Sequence, residues 1–203
     1  MIDRGRAHHA GMDDHTALVV VDVQNDFADP GGSLYVTGGE DVVATVNALI
    51  ADARDAGAAV VYTQDWHPPE TPHFATSGGT WPVHCVRDTW GAELHPDLVV
   101  EGPIVRKGTG GEDGYSGFTA LDVTTGERKP TELDDILRDK GIDEVVVVGL
   151  AQDVCVKATA LDALRLGYET SVVLSATRPV NLSPADEAAA NEEMAAAGVT
   201  LQP

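Results

Sequence analysis

Residues 17–21 read Ala17-Leu18-Val19-Val20-Val21 and lead directly into Asp22. This short stretch is apolar throughout and rich in β-branched residues, without the alternation of apolar and polar residues that a half-exposed strand shows. It therefore predicts a strand that is buried on both faces of a sheet. Similar strand candidates are residues 58–63 (AAVVYT), 144–150 (EVVVVGL) and 170–174 (TSVVL), with a weaker one at 98–105 that glycine and proline interrupt.

Segments with apolar residues at helical spacing lie between these strands. They cover residues 41–56, 131–140 and 154–166, and a Ser-Pro-Ala-Asp cap at 183–186 predicts a last helix before a short edge strand. Alternation of strands and helices predicts an α/β fold of three layers, α/β/α, in which helices cover both faces of a mostly parallel sheet. Ligands in such folds bind outside the carboxyl ends of the strands, so functional residues are expected there.

The size and composition of the chain indicate one globular domain that binds neither nucleic acid nor membrane. Its 203 residues, 43% of them hydrophobic, can fill one core, and the net charge of −20 would repel phosphate groups and anionic lipids. No stretch approaches the roughly 18 consecutive apolar residues of a membrane span, and the first residues lack the apolar region of a secretory signal. We therefore predict a disordered or frayed tail over residues 1–16, one domain over residues 17–203, and a cytoplasmic protein.

Three polar residues with catalytic potential fall at the ends of three different strand candidates: Asp22, Lys107 and Cys155. Taken singly they have ordinary structural explanations, as a turn-capping aspartate, a solvated lysine and a packed cysteine. Together, in a fold whose strand ends converge, they indicate a cysteine nucleophile with a base and a cation. A position in the first helical turn favours the thiolate, and the sharp turn at 149–153 could aim backbone N–H groups at a developing oxyanion.

A second group of polar residues lies in the long loop that follows residues 58–63. Asp65 and His67 are two positions apart, so on an extended chain both point to one side and can meet one ion, with His73 and His84 folding in. One oxygen and up to three nitrogen ligands favour a single divalent transition metal, Zn²⁺, Fe²⁺ or Mn²⁺, over Ca²⁺. For any one of these histidines a solvated or turn-capping role is an equally ordinary explanation.

Aromatic residues in or beside the long loops, Phe27, Trp81 and Tyr115 among them, offer either a wall for a flat ligand or ordinary loop packing. Cys85 directly follows His84, and we prefer a packing role for it. The two cysteines, Cys85 and Cys155, do not form the pattern of a disulfide-rich protein, so each is treated as a free thiol.

Several motifs occur in order and at fitting separations along the chain. They are residues 22–27 (DVQNDF), 65–67 (DWH) with His73, 81–85 (WPVHC), Lys107, 114–118 (GYSGF) and 149–156 (GLAQDVCV). From about Ala17 onward this set resembles the nicotinamidase/pyrazinamidase branch of the isochorismatase-like hydrolases. The combination is far more specific than any one of the motifs.

The resemblance implies a fold and a set of residue roles, which are stated here as expectations. The fold would be a six-stranded parallel sheet flanked by helices, with a cis peptide bond joining Leu150 to Ala151. The roles implied are a catalytic triad of Asp22, Lys107 and Cys155, an oxyanion hole from the backbone N–H groups of Ala151 and Cys155, a pyridine-binding wall of Phe27, Trp81 and Tyr115, and a metal held by Asp65, His67 and His84 with His73 nearby or ligating.

The activity implied is hydrolysis of a small-molecule amide, nicotinamide, to nicotinate and ammonia through a cysteine thioester in NAD salvage, with pyrazinamide as an analogue substrate.

Three features depart from the pattern: Val154 stands where many relatives carry histidine or tyrosine, Ser175 stands where aspartate is common, and the loop 108–114 is longer by a residue. Alternatives are a ureido or carbamoyl amidase, an isochorismatase, and a non-catalytic binding protein on the same fold. The metal, the preferred amide, the start site (Met1 or Met12) and the oligomeric state, a homo-oligomer included, stay open.

Overall fold

The computed structural model describes residues 11–203, which form a three-layer fold around one large sheet. The strands are β1 (Thr16–Val21), β2 (Ala59–Asp65), β3 (Ile104–Lys107), β4 (Thr119–Leu121), β5 (Arg128–Pro130), β6 (Glu144–Leu150), β7 (Glu169–Arg178) and β8 (Thr200–Gln202). The α-helices are α1 (Asn25–Ala28), α2 (Gly39–Ala56), α3 (Leu133–Asp139), α4 (Lys157–Arg165) and α5 (Asp186–Ala197). Six strands form one parallel sheet in the order β3-β2-β1-β6-β7-β8, and β4 and β5 form a separate antiparallel hairpin. The expected α/β fold with a six-stranded parallel sheet is confirmed.

The absence of alternation in β1 is explained by two hydrophobic cores, one on each face of the sheet. Leu18 and Val20 belong to the core that α2 covers, whereas Ala17, Val19 and Val21 belong to the core that α3, α4 and α5 cover. All five side chains are at most 1% exposed. Burying apolar surface stabilises a fold by about 25 cal/mol per Å², so a strand between two cores is most stable with an apolar residue at every position.

Some element boundaries differ from the sequence-based predictions. The strand predicted from residue 98 begins only at Ile104, where Tyr62 N starts the pairing by donating to Pro103 O at 3.0 Å. Helix α5 begins at Asp186, later than a cap at Ser183 predicts, although Asp186 Oδ2 accepts a hydrogen bond from Ser183 N at 2.7 Å, as the acidic residue of a capping box does. The hairpin of β4 and β5, with three residues in each strand, lies between β3 and α3, where the sequence analysis identified no strand.

The predicted N-terminal tail extends too far into the chain. Thr16 is the first residue of β1 and is fully buried, and its Oγ1 accepts a hydrogen bond from Asp13 N at 3.1 Å. Residues 1–10 of that predicted tail lie outside the described residues. Over residues 11–203, no helix combines the length and the apolarity that a membrane crossing requires.

The carboxyl ends of the central strands lie side by side at one edge of the sheet. Asp65 at the end of β2 is the register partner of Lys107 at the end of β3, and Val21 at the end of β1 is the partner of Gly149 near the end of β6. Side chains that follow these strands therefore meet at this edge, as the topology of a parallel sheet requires.

Candidate active site and metal centre

The ammonium group of Lys107 is buried among oxygen atoms at the carboxyl edge of the sheet. Its Nζ lies 2.8 Å from Asp22 Oδ2 and 3.7 Å from Cys155 Sγ, and it also contacts Asp65 Oδ1 and the carbonyl oxygen of Gly114. Burial alone would lower the pKa of Lys107, but the carboxylates of Asp22 and Asp65 outweigh it and raise this pKa well above its usual value. The lysine is thus a fixed cation between two carboxylates and the sulfur.

The carboxyl group of Asp22 follows β1 and has no contact with solvent. Its Oδ1 accepts a hydrogen bond from Thr63 Oγ1 at 2.6 Å, and its backbone has a positive φ of 48°. Burial raises the pKa of Asp22 to about 6, with the Lys107 ammonium acting in the opposite direction. A carboxyl group with a pKa this close to neutrality can both accept and return a proton at physiological pH.

Cys155 is 7% exposed and lies in a π-helical turn, Gln152–Val156, that leads into α4. One oxygen of Asp22, one oxygen of Asp65 and the Cys155 sulfur all lie within 4.8 Å of one another. Burial raises the pKa of the Cys155 thiol well above its usual value, although Lys107 opposes this rise. The expectation of a thiolate favoured by the helix terminus is therefore wrong for the resting site, because desolvation of the sulfur outweighs the nearby positive charge.

The turn before the cysteine has the unusual backbone that the resemblance implied. The peptide bond between Leu150 and Ala151 is cis. Gly149 has a φ of 109°, and an added Cβ there would overlap the carbonyl oxygen of Val21. The N–H groups of Val154 and Val156 both donate to Ala151 O at 3.1 Å, which closes the turn around the sulfur. The oxyanion hole assigned to Ala151 and Cys155 stays a prediction.

Three histidines from the long loop after β2 form a buried cluster beside the triad. Each of His67, His73 and His84 is at most 5% exposed, and one ring nitrogen from each lies within 4.8 Å of the other two. Within residues 11–203, neither ring nitrogen of His67 has a hydrogen-bond partner. A buried polar atom without a partner is costly, so the cluster has the character of a binding site rather than of a packed core.

The chemistry of the cluster fits a divalent transition metal. His84 Nδ1 donates to Pro82 O at 2.7 Å and His73 Nδ1 pairs with Asp113, which leaves Nε2 of both rings available for coordination. Burial lowers the pKa of His84 to about 4 and also lowers that of His73, so both rings are neutral at pH 7. Neutral imidazole is the form that binds Zn²⁺, Fe²⁺ or Mn²⁺.

Asp65 connects the histidine cluster to the triad through its two carboxylate oxygens. Its Oδ1 contacts Lys107 Nζ, while Oδ2 lies 3.7 Å from His67 Nε2 and 4.0 Å from His84 Nε2. Burial alone would raise the pKa of Asp65, but Lys107 and His67 outweigh it and hold this pKa far below its usual range. Sequence reasoning placed Asp65 in the metal set and missed its pairing with Lys107.

A cavity that opens to solvent joins the sulfur to the histidines, with an empty volume of about 420 Å³ when the open space at its mouth is included. Phe27, Trp81 and Tyr115 line it, and Trp81 Nε1 donates a hydrogen bond to Tyr115 Oη at 2.9 Å. Val154, one of the departures from the family pattern, also lines the cavity. Ser175 does not line it, since its hydroxyl group donates to Pro203 O at 3.1 Å on the surface.

Several residues that hold the site together were missed from the sequence. Gln24 bonds to both backbone groups of Asp65, with Nε2 2.8 Å from the carbonyl oxygen and Oε1 2.8 Å from the nitrogen. The Asp153 carboxylate accepts hydrogen bonds from Val180 N and Asn181 N, each at 2.8 Å, and so ties the cysteine turn to the neighbouring loop. Their only sequence signal is their place inside the motifs at 22–27 and 149–156.

Comparison with known proteins shows similarity over nearly the whole chain. The isochorismatase domain family matches residues 16–202. The nicotinamidase of Escherichia coli (strain K12) is 44% identical over 204 residues, covering 91% of this chain and 93% of that protein. The crystal structure of the pyrazinamidase of Pyrococcus horikoshii in complex with zinc is 40% identical with a TM-score of 0.82, covering 93% of this chain and 99% of that one. PnC1 from L. infantum, solved in complex with nicotinate, is 36% identical with a TM-score of 0.85, covering 94% and 93% respectively.

Proposed function

This chain belongs to the isochorismatase domain family, and we propose that it is a cysteine amidohydrolase that deamidates nicotinamide to nicotinate and ammonia. One observation supports this most directly: a single cavity joins the Cys155 sulfur to the histidine cluster and is lined by three aromatic residues. A flat heteroaromatic amide would fit between these groups, with its carbonyl carbon at the sulfur and its ring on the aromatic wall. The similarity to a nicotinamidase and to a nicotinate complex supports the same substrate.

The first half of the proposed reaction forms a thioester. Asp22 takes the thiol proton as Cys155 Sγ attacks the amide carbon, which is required because burial keeps the resting sulfur protonated. Lys107 lies between the two groups, so it stabilises Asp22 before the proton transfer and the anionic sulfur after it. Backbone N–H groups of the turn at Ala151 and Cys155 would stabilise the oxyanion.

The second half of the reaction releases both products. When the tetrahedral intermediate collapses, the carbon–nitrogen bond breaks and Asp22 returns its proton to the departing ammonia. Asp22 then deprotonates a water molecule that attacks the thioester carbon, and the sulfur leaves and recovers its proton. One amide and one water are consumed, and one acid and one ammonia are formed. The general acid and the general base are thus the same carboxyl group, whose pKa of about 6 suits both tasks.

The metal is proposed to be one divalent ion held by Asp65, His67 and His84, with His73 as a further ligand. When bound it would supply a Lewis acid that can interact with the ring nitrogen of the substrate. The pyrazinamidase of Pyrococcus horikoshii was solved with zinc, so zinc is proposed ahead of iron and manganese. The cytoplasmic location and a homo-oligomeric state stay predictions.

The proposal is tested by ammonia release from nicotinamide, pyrazinamide and a ureido compound with purified protein. Nicotinamide should be the best substrate, and Cys155→Ala should lower kcat by about 10⁴-fold or more, as for loss of a nucleophile in other triads. Cys85→Ala is the matched control, because Cys85 Sγ lies in the core, 3.8 Å from Gly91 O, and does not line the cavity. This control should keep most of the activity. Equal activity of Cys155→Ala and wild type would rule out the thioester, and activity on the ureido compound alone would rule out the substrate class.

A further inference from the structure

The ring of His73 is oriented by a residue outside the proposed ligand set. Its Nδ1 pairs with Asp113 Oδ1, and the two side chains are 4% and 16% exposed. A carboxylate only accepts hydrogen bonds, so in the neutral ring that a metal requires the proton is on Nδ1 and the lone pair is on Nε2. Asp113 thereby selects the tautomer of His73 in which the nitrogen away from Asp113 can bind an ion.

The His73 ring has two other histidines as close neighbours. It stacks on His67 with ring centroids 4.6 Å apart and an angle of 22°, and its centroid lies 5.3 Å from that of His84. A ring that binds a metal ion is neutral, and a neutral imidazole has one donor nitrogen and one acceptor nitrogen. If the donor pointed into the cluster instead, the ring would present a proton where an ion has to bind. The carboxylate of Asp113 prevents this rotation.

Asp113 is itself held by backbone hydrogen bonds to the last residue of β4. Its N–H donates to Leu121 O and its carbonyl oxygen accepts from Leu121 N, both at 2.8 Å. The same loop is tied to the histidine loop a second time, because Thr71 Oγ1 donates to Gly111 O at 2.9 Å and accepts from His73 N at 3.2 Å. The loop that carries Asp113 also connects Lys107 to Tyr115, so it contacts the metal cluster, the triad and the aromatic wall.

We propose that Asp113 is a positioning residue that holds His73 in the tautomer and orientation required for metal binding. This inference rests on the proposed metal site. Asp113 would act through His73 alone, since its carboxylate faces the ring and not the cavity that holds the sulfur. Loss of such an orienting carboxylate typically weakens metal binding about 10- to 100-fold. A carboxylate that only closed the loop would affect stability and leave the metal affinity unchanged.

The test is a double-mutant cycle on the affinity of the full-length chain for Co²⁺, measured by competition with a chelator. The variants are Asp113→Ala, His73→Ala and the double variant, with Asp113→Asn as a variant that keeps a hydrogen-bond acceptor without the charge. Glu112→Gln is the matched control, because it removes one negative charge from the neighbouring position of the same loop. Circular dichroism of each metal-free variant verifies that it is folded, and the visible spectrum of bound Co²⁺ reports the number and kind of ligands.

The expected result is a loss of affinity of about 10- to 100-fold for Asp113→Ala, a smaller loss for Asp113→Asn, and none for Glu112→Gln. In the His73→Ala background, Asp113→Ala should cause no further loss. An undiminished effect in that background would overturn the inference, as would Co²⁺ affinity unchanged by Asp113→Ala. If wild type itself binds no Co²⁺, the proposed metal site fails, which is a separate outcome. If Asp113→Ala does not fold, the same comparison is made with Asp113→Asn, whose Co²⁺ affinity is measured with and without His73→Ala.

Discussion

Lys107 is the residue on which the charge balance of the site depends. Its ammonium lies between Asp22 and Asp65, so a buried cation is shared by two carboxylates. Removing one partner of a buried ion pair typically costs about 3–5 kcal/mol, because the remaining charge is left unpaired. Burial raises the pKa of Asp22, and the Asp65 carboxylate adds to this rise because both carboxyl groups share one cation.

At the same scale, Thr63 is predicted to orient the base. The change Thr63→Val keeps the shape of the side chain and removes the 2.6 Å hydrogen bond to Asp22 Oδ1. A hydrogen bond to a charged group is worth about 2 kcal/mol, so we expect the free energy of unfolding to fall by that amount. If half of that energy is needed to hold Asp22 in its reactive position, kcat for nicotinamide should fall about fivefold. Urea unfolding and steady-state kinetics measure the two effects.

The control for this change is Thr170→Val, a buried strand threonine whose Oγ1 donates to Tyr168 O at 3.0 Å. It lies at the start of β7, away from the carboxyl edge of the sheet. We expect a loss of about 1 kcal/mol in stability with kcat unchanged. A Thr63→Val variant with the stability loss but wild-type kcat would show that this threonine is structural only.

At the scale of elements, the loop after β3 is shaped by its contact with the histidine cluster. Gly108 directly follows Lys107 and has a φ of 70°. A Cβ at this position would lie 2.5 Å from His67 Cε1 and 2.6 Å from its Nδ1. Glycine is therefore needed twice, for the left-handed backbone and for the approach of the imidazole ring. Gly108 therefore places Lys107 of the triad next to His67, a proposed metal ligand.

We predict that Gly108→Ala displaces the His67 ring and lowers the affinity for Co²⁺ by about tenfold or more, as for other disturbances of ligand orientation. Gly141→Ala separates this effect from backbone strain, because Gly141 has the same φ of 70° and, among the described residues beyond its chain neighbours, none comes within 4 Å of an added Cβ. That control should lose about 1 kcal/mol of stability to the left-handed backbone and keep its metal affinity. Chelator competition and thermal unfolding measure both variants. Equal metal affinities of the two variants would contradict the prediction.

At the scale of the whole molecule, the proposed metal site and its neighbour Asp113 bring together three parts of the chain that are distant in sequence. Asp65 ends β2, His73 and His84 lie further along the loop, and Asp113 follows β3. Without an ion, the partnerless nitrogens of His67 are a cost to the folded state. A bound metal would coordinate His67 and would cross-link the segments that supply its ligands.

Metal removal should therefore destabilise the entire fold as well as stop the reaction. An ion present at about 1,000 times its Kd contributes about 4 kcal/mol, and 1 kcal/mol shifts Tm by about 2–4 °C for a chain of this size. We expect a chelator to lower Tm by roughly 8–16 °C and Zn²⁺ to restore it, whereas Ca²⁺ should not. Scanning calorimetry with elemental analysis of each sample measures this. An unchanged Tm in protein proven free of metal would mean that the cluster holds no stabilising ion.

The sequence by itself determined the sheet and the residues to examine at its edge. Residues 17–21 and 144–150 are apolar at every position because both faces of these strands are buried, and this requirement is local enough to read directly. Asp22, Lys107 and Cys155 stood out because each follows a strand, and parallel strands bring their carboxyl ends together. The structure does place these three side chains in contact.

Only the tertiary structure decided how the side chains at that edge are paired and protonated. The Thr63–Asp22 and His73–Asp113 contacts join residues 41 and 40 positions apart, and no spacing rule in the sequence predicts which partners meet. The resting state of Cys155 was misjudged for the same reason. Its pKa depends on how completely water is excluded from the sulfur, and desolvation is a property of the packed molecule rather than of the helix terminus that the sequence shows.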